Sequence, residues 1–340
     1  MKKIFKIFII TVLFVFTACG KTDKKVLNVY TGLEEEYLVK YIEMFEKDFP
    51  DVELNIVRDS QGAISAKVLA EKDNPQADVL WGLAGVNLIQ LDKENMLTEI
   101  DFMDLTNFKE IFIDKKNTNP HWIGMDAWTS AIIANKVELS KKGLELPKSY
   151  TDLLKPEYQG EVVMPNPASS GTGFLTVLGW INILGEEKAW EYMDNLNKNI
   201  KMYVHSGSAP VKMAMQGENL LGIGMDSESL RLGKGNEAVQ TVFPTEGYGW
   251  DMEGVALIKK EEIKPEAKQF IEWALSKKMM EEYSNNIGIL AHKDVKTKLI
   301  GYTDDFEENL AKADFYWAAE NRDRILKEWD RRYDIKKASK

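Results

Sequence analysis

In the string MPNPASSGTGF (164–174), two prolines, two serines, a threonine and two glycines stand directly before an apolar run. Pro165 and Pro167 hold the approach extended, because each also restricts the residue before it. Ser169 or Ser170 can cap a following helix, and Gly171 and Gly173 let backbone amides come close to another group. The first N–H groups of a helix have no partner inside it, and the dipole there favours negative charge. With the Thr172 hydroxyl, this makes a seat for an oxyanion. A capped helix whose glycines only relieve packing against a sheet would produce the same string.

A second string, HSGSAP (205–210), repeats the theme with Ser206, Gly207 and Ser208. His205 can donate to an anion or serve as a structural hydrogen-bonder. Carboxylates that can receive an ammonium are Asp226 and Glu228 in GMDSES, Asp251 and Glu253 in GWDMEG, and Glu34. Solvation or helix capping would account equally for any one of them. Neither G-x-x-x-x-G-K-[ST] nor G-x-G-x-x-G is present, so a nucleotide is disfavoured and no cofactor is expected. G-x-S-x-G, H-E-x-x-H and CxxC are also absent, and His121, His205 and His292 are far apart, which argues against an enzyme.

These residues need elements to hold them. VLNVYTG reads as a strand, and EEEYLVKYIEMFEKDFP follows as a helix that Pro50 stops. VELNIVRDSQG, AISAKVLAEKDNP, ADVLWGLA and GVNLIQLDKENML continue as strand, helix, strand and helix. Alternation of this kind without hairpins implies right-handed crossovers and a mostly parallel sheet, an α/β fold. In such sheets ligands lie beyond the carboxyl ends of the strands. Those ends fall at Tyr30-Thr31-Gly32, Asp59-Ser60 and Trp81-Gly82-Leu83-Ala84. Two further β-rich passages, around Trp128 and Trp250, are spaced as two chain crossings between two α/β lobes would be, and helical segments near 264–284 and 303–330 close the chain. The expected lobes are 26–125 with 255–300, and 126–254 with 301–335.

The opening MKKIFKIFIITVLFVFTA, residues 1–18, has the basic start, apolar run and small residues of a secretory signal. Cys19 is the only cysteine of the 340 residues, so an internal disulfide is excluded. FTAC resembles a bacterial lipobox with Phe16 where Leu is usual, which makes Cys19 the expected lipid acceptor and residues 19–25 a polar tether. Removal of Lys2, Lys3 and Lys6 with the signal takes the formal charge from -10 to -13, which argues against nucleic acid or an anionic membrane surface as partner.

The run from VYTGLEEEYLVKYIEMF to DVLWGLA, followed by MPNPASSGTGF, HSGSAP and FPTEGYGWDMEG, closely resembles the solute-binding proteins of bacterial ATP-driven importers, in particular the branch assigned to 2-aminoethylphosphonate. The resemblance spans nearly all of the chain after the signal. It implies a two-lobed periplasmic-binding-protein fold of type II, two crossing strands as hinge, a monomer, and delivery to a membrane permease and ATPase. It implies a phosphonate seated at Ser169–Thr172 and an amine facing a carboxylate, with Asp226 favoured, then Glu253 and Glu34. Contacts are expected from Tyr30, Thr31, Gly32, Ser60, Trp81 and Leu83 of one lobe and from His205, Ser206 and Ser208 of the other. Asp251 belongs to the same candidate set. Trp81, Trp128 and Trp250 are placed either to wall the ethyl spacer or to pack between lobes.

Related readings are a ferric-ion binder of the same fold, with Tyr30, Tyr203, Tyr248 or His205 as donors, and a binder of phosphate or sugar phosphate. The segment GIGMDSESLRL offers no tyrosine pair for iron, and no metal is expected. A purely structural lipoprotein would not need hydroxyl- and glycine-bearing loops at so many strand ends and helix starts.

Overall fold

The computed structural model of the protein describes residues 24–303 and 305–338, so the expected signal peptide and the Cys19 lipidation site lie outside the described residues. The first half builds β1 (Lys25–Thr31), α1 (Glu35–Asp48), β2 (Val52–Arg58), α2 (Gln61–Ala70), β3 (Val79–Ala84), α3 (Gly85–Lys93) and the short β4 (Leu97–Thr98). Helix α1 buries Tyr37, Leu38, Tyr41 and Phe45, a stripe at helical spacing. It ends at Asp48, two residues before Pro50, as a residue preceding proline is pushed out of helical geometry.

Strand β5 (Trp122–Asn135) is buried along its whole length and leads into α4 (Lys136–Lys141). The second half then adds β6 (Val162–Pro165), α5 (Gly171–Leu184), α6 (Glu186–Asn199), β7 (Ile200–Val204), α7 (Ala209–Met215), β8 (Leu221–Met225), α8 (Asp226–Gly233) and β9 (Val239–Val242). Strand β10 (Trp250–Ile258) returns the chain, followed by α9 (Pro265–Ala274), α10 (Lys277–Tyr283), β11 (Ile289–Leu290) and α11 (Phe315–Tyr333).

The strands run β2-β1-β3-β10-β5-β8-β6-β7. β1 is parallel to β2 and β3, and β6 is parallel to β7 and β8, so each half carries the expected parallel set. β10 is antiparallel to β3 and β5, and β5 is antiparallel to β8. The fold is therefore α/β with two parallel sets joined through two long antiparallel strands, in agreement with the sequence expectation. Helix α11 begins at 315 rather than near 303, and it spans both halves: Lys93 of α3 pairs with Glu320, while Trp329 packs edge-on to Tyr203 of β7.

Trp81 was expected at a strand end in the cleft, and it is not there. β3 continues three residues beyond it to Ala84, so Trp81 is a mid-strand residue. Strand alternation turns its side chain into the aromatic core of the first half, edge-on to Phe270 at 5.1 Å, with Nε1 donating to the Tyr283 hydroxyl at 3.2 Å. Leu83, also fully buried, is part of the same core. Trp81→Ala should destabilise the protein by about 3–5 kcal/mol, the usual cost of truncating a buried aromatic. Chemical denaturation would show a lowered midpoint, with ligand affinity of the folded protein unchanged because no cavity-lining residue is removed.

Candidate ligand-binding site

A small cavity of about 30 Å³ lies where the two halves face each other, well below the roughly 300–1,000 Å³ typical of occupied ligand sites. The first half contributes Gly32, Glu34, Arg58, Ser60 and Gln61, and the second contributes Ser170, Gly171, Thr172, Ser206, Gly207 and Met225. The joining strands supply Trp128 from β5 and Glu253 from β10. All these positions are strand ends, helix starts or crossing points, where backbone groups turn toward the cleft.

On the second-half side, Ser170 is the N-cap of α5, and its side chain accepts from the Gly173 amide at 3.3 Å. That leaves the Gly171 and Thr172 amides, which have no carbonyl within the helix, at the cavity. Trp128 Nε1 donates to Thr172 Oγ1 at 3.1 Å, so the threonine hydrogen is free to be given to a ligand. Gly207 approaches the same threonine so closely that a β-carbon there would lie 2.2 Å from Oγ1. This side is a set of donors with little charge, suited to an oxyanion.

The first-half side is acidic. Glu34 accepts from Arg58 Nη2 at 3.2 Å and, across the cleft, from the Ser208 hydroxyl at 3.2 Å. Burial raises its pKa against the opposing pull of Arg58. Glu253 Oε1 accepts from Gln61 Nε2 at 3.1 Å, whereas Oε2 is buried without a partner. Burial, reinforced by the neighbouring Asp126, pushes Glu253 well above the usual carboxylate range. Gln61 is held by its own bonds to Gly82 O (2.9 Å) and the Ala84 amide (2.8 Å), which fixes the glutamate it serves.

The halves are in contact around this cavity. The Gly62 amide donates to Ser169 O at 2.9 Å, Ser60 Oγ lies 2.9 Å from His205 Nε2, and the same nitrogen is 3.2 Å from Asp59 Oδ1. Lys212 pairs with Glu36 at 2.5 Å beside them. Gly62 is required for this approach: a β-carbon there would meet Ala168 O at 2.2 Å and Ser169 Cα at 2.9 Å.

The sequence profile of the bacterial extracellular solute-binding proteins matches residues 40–306, most of the chain. The chain belongs to this family. It is similar to an uncharacterised Haemophilus influenzae protein, 29% identical over 294 residues and covering 82% of each chain. Among solved structures it resembles the periplasmic binding protein AfuA of Actinobacillus pleuropneumoniae, determined with exogenous fructose-6-phosphate bound, at 26% identity and a TM-score of 0.85 over 92% of this chain and 99% of that one. Iron-bound HitA from Pseudomonas aeruginosa shares the fold, with a TM-score of 0.73 over 89% and 99% of the two chains at 20% identity. The family captures solutes outside the cytoplasm and is not one of enzymes.

Within this solute-binding protein, Gly32, Glu34, Ser60, Trp128, Ser170, Gly171, Thr172, Ser206 and Glu253 of the candidate residues line the cavity. Ser169, His205 and Ser208 lie beside it: the Ser169 carbonyl and the His205 and Ser208 side chains bridge the halves. Tyr30 is turned by strand alternation toward α2, where its hydroxyl donates to Glu71 at 3.0 Å, and Thr31 Oγ1 accepts from the Leu33 amide to shape the loop. Asp226, favoured as the ammonium partner, does not line the cavity. It accepts from the Thr129 amide (3.0 Å) and the Tyr302 hydroxyl (2.9 Å), so its carboxylate is satisfied within the fold.

Asp251 Oδ1 accepts from the Met252 amide at 2.8 Å, and its side chain is buried against the start of α3 rather than in the cavity lining. Trp250 donates to Ala311 O at 2.9 Å and packs on Phe315, tying down the C-terminal segment instead of walling the cleft. The tyrosines considered for iron are also elsewhere: besides Tyr30, Tyr203 bonds Asn197 and Tyr248 bonds Phe306 O. Gly207 of HSGSAP lines the cavity with its neighbours, and Arg58, Gln61 and Met225 line it without having been singled out. Arg58 and Gln61 flank Ser60 in VRDSQG and were within reach of the strand-end argument, whereas Met225 carries no chemical signal.

Gly62→Ala should prevent the contact of α2 with Ala168 and Ser169 while leaving α2 sound, because alanine is the better helix former. Scattering with saturating ligand is expected to show an expanded particle, with affinity weakened more than about tenfold, or about 1.4 kcal/mol. Burial pushes Asp251 up to about 7. An acid raised in the folded state contributes stability that is fully present below its unfolded value and is lost as pH rises to the folded one. Unfolding free energy should therefore fall from about pH 4 to about pH 7, by on the order of a few kcal/mol, and level off above. Asp251→Asn should flatten that slope.

Proposed function

We propose that the protein captures 2-aminoethylphosphonate, or a close small phosphonate bearing an amine, for an ATP-driven importer and delivers it to a membrane permease and ATPase. The observation that carries this reading is the pairing, in one small cavity, of uncharged donors at the start of α5 with the buried, unpartnered Oε2 of Glu253. An oxyanion is served by the Gly171 and Thr172 amides and the Thr172 hydroxyl. An ammonium supplies the hydrogen bond that Glu253 lacks, and a charge-assisted bond is roughly twice as strong as a neutral one. Glu253 takes this role in preference to Asp226, with Glu34 beside it and Arg58 offsetting part of the local charge.

Closure follows from the ligand's preference for the state in which both halves reach it. The moving bodies are taken to be 26–125 with 255–300 and 126–254 with 301–335, and α11 must accommodate the motion because it packs on both. Cleavage before Cys19 and its lipidation would tether the monomer to the outer face of a membrane.

A sugar phosphate is the second reading, favoured by the likeness to AfuA, which was solved with fructose-6-phosphate. The two differ at Glu253, which would meet a cation in one case and a hydroxyl in the other. Calorimetry with 2-aminoethylphosphonate, ethylphosphonate, phosphate, fructose 6-phosphate and ferric citrate separates them. The amine-bearing phosphonate should bind at least tenfold more tightly than ethylphosphonate, and Glu253→Gln should erase most of that difference. Heat from fructose 6-phosphate or ferric citrate alone would overturn the phosphonate reading.

A further inference from the structure

Behind Glu253 lies a second carboxylate that the ligand reading does not use. Asp126 of β5 stands directly opposite Glu253 of β10 in the antiparallel register. Opposed residues project from the same face of a sheet with β-carbons about 4.5–5.5 Å apart. Their exposures are 1% and 3%, and each has a buried oxygen without a hydrogen-bond partner, Oδ1 of Asp126 and Oε2 of Glu253. Two neighbouring carboxylates removed from water cannot both hold a charge cheaply. A proton retained by one of them removes one of the two buried charges and makes that group a donor.

We propose that Asp126 and Glu253 share a single proton in the ligand-free protein, and that a ligand ammonium reaching Glu253 displaces it to solvent, so that capture releases one proton. The inference rests on the amine-bearing phosphonate reading and deepens it. Before binding, the pair is one carboxylic acid and one carboxylate, with a net charge of about -1. Afterwards it is two carboxylates beside an ammonium that keeps its own protons, again about -1 in sum. The charge of the carboxylate pair and its ammonium is thus unchanged by binding, while the phosphonate charge is met separately by the donors at the start of α5.

The groups facing the pair do not supply a competing cation. They are Glu34 and Asp251, the phenols of Tyr37 and Tyr41 on α1, and that of Tyr283 on α10. Tyr41 is engaged by Asn286 and Tyr283 by Trp81, and Arg58 by Glu34 and the Leu33 carbonyl. Burial also pushes both Asp126 and Glu253 well above the usual carboxylate range, as a retained proton requires.

Infrared difference spectroscopy of the ligand-free protein against the Asp126→Asn/Glu253→Gln double variant at neutral pH, both carrying Asp251→Asn, should show a protonated-carboxyl band. Saturation with 2-aminoethylphosphonate should remove that band. Calorimetry in buffers of differing ionisation heat should give about one proton released per 2-aminoethylphosphonate bound. Asp126→Asn, whose amide can donate to Glu253 in place of the acid, should bring the release near zero whatever affinity remains. Absence of the band in ligand-free protein overturns the shared proton independently of any ligand. Its persistence at saturation, or a release of zero, overturns the displacement. If 2-aminoethylphosphonate does not bind, the ligand reading and the displacement both fall, while the ligand-free band still decides the shared proton.

Discussion

The pairing of β5 with β10 is the constraint on which the other features depend. Their register runs from Trp250 opposite Thr129 to Ala256 opposite Trp122, and each strand also joins the parallel sets: β10 through β3, β5 through β8. Two strands that belong to both halves allow those halves to turn relative to each other without separating. The same strands present Trp128 and Glu253 to the cavity, with Asp126 and Asp251 beside them. In the proposed function, one antiparallel pair would serve as both hinge and binding floor, coupling motion to occupancy.

The electrostatics of the cleft are asymmetric for a physical reason. The second half approaches with helix-start amides and hydroxyls, whose partial charges cost little to bury when no ligand is present. The crossing strands and the first half approach with carboxylates, which are costly to bury unless paired or protonated. Glu34 is offset by Arg58 and Asp226 by amide and phenol donors, but Glu253 keeps one oxygen unpartnered. Such an oxygen is a strong discriminator, since a ligand that supplies a donor removes a penalty as well as adding a contact.

Much of the fold was legible in sequence. The helical stripe of α1 and its stop before Pro50, the alternation of strand and helix, and two β-rich crossings each rest on local preferences or on periodicity, and these are properties of neighbouring residues. The cap at Ser170 was legible for the same reason, as was the clustering of cavity residues at strand ends and helix starts. Trp81 was misplaced although the strand ADVLWGLA does end at Ala84, because the face its side chain takes is set by distant partners, Phe270 and Tyr283, that complete an aromatic core. Asp226 and Glu253 cannot be ranked from the chain, since both are acids in glycine-bearing segments. Only the arrival of Tyr302 and the Thr129 amide satisfies Asp226, while Glu253 keeps an oxygen without a partner.

By itself, the sequence determined that this is an α/β protein with two crossings and an anion-favouring helix start, because capping residues, prolines and apolar periodicity act over a few residues along the chain. Tertiary structure alone decided which acids face the cavity, that Gln61 braces Glu253, that Gly62 must lack a side chain for the halves to meet, and that Asp126 lies opposite Glu253. Those facts depend on distances between segments from about 100 to nearly 200 residues apart in sequence, and on desolvation that exists only once the halves enclose the cleft.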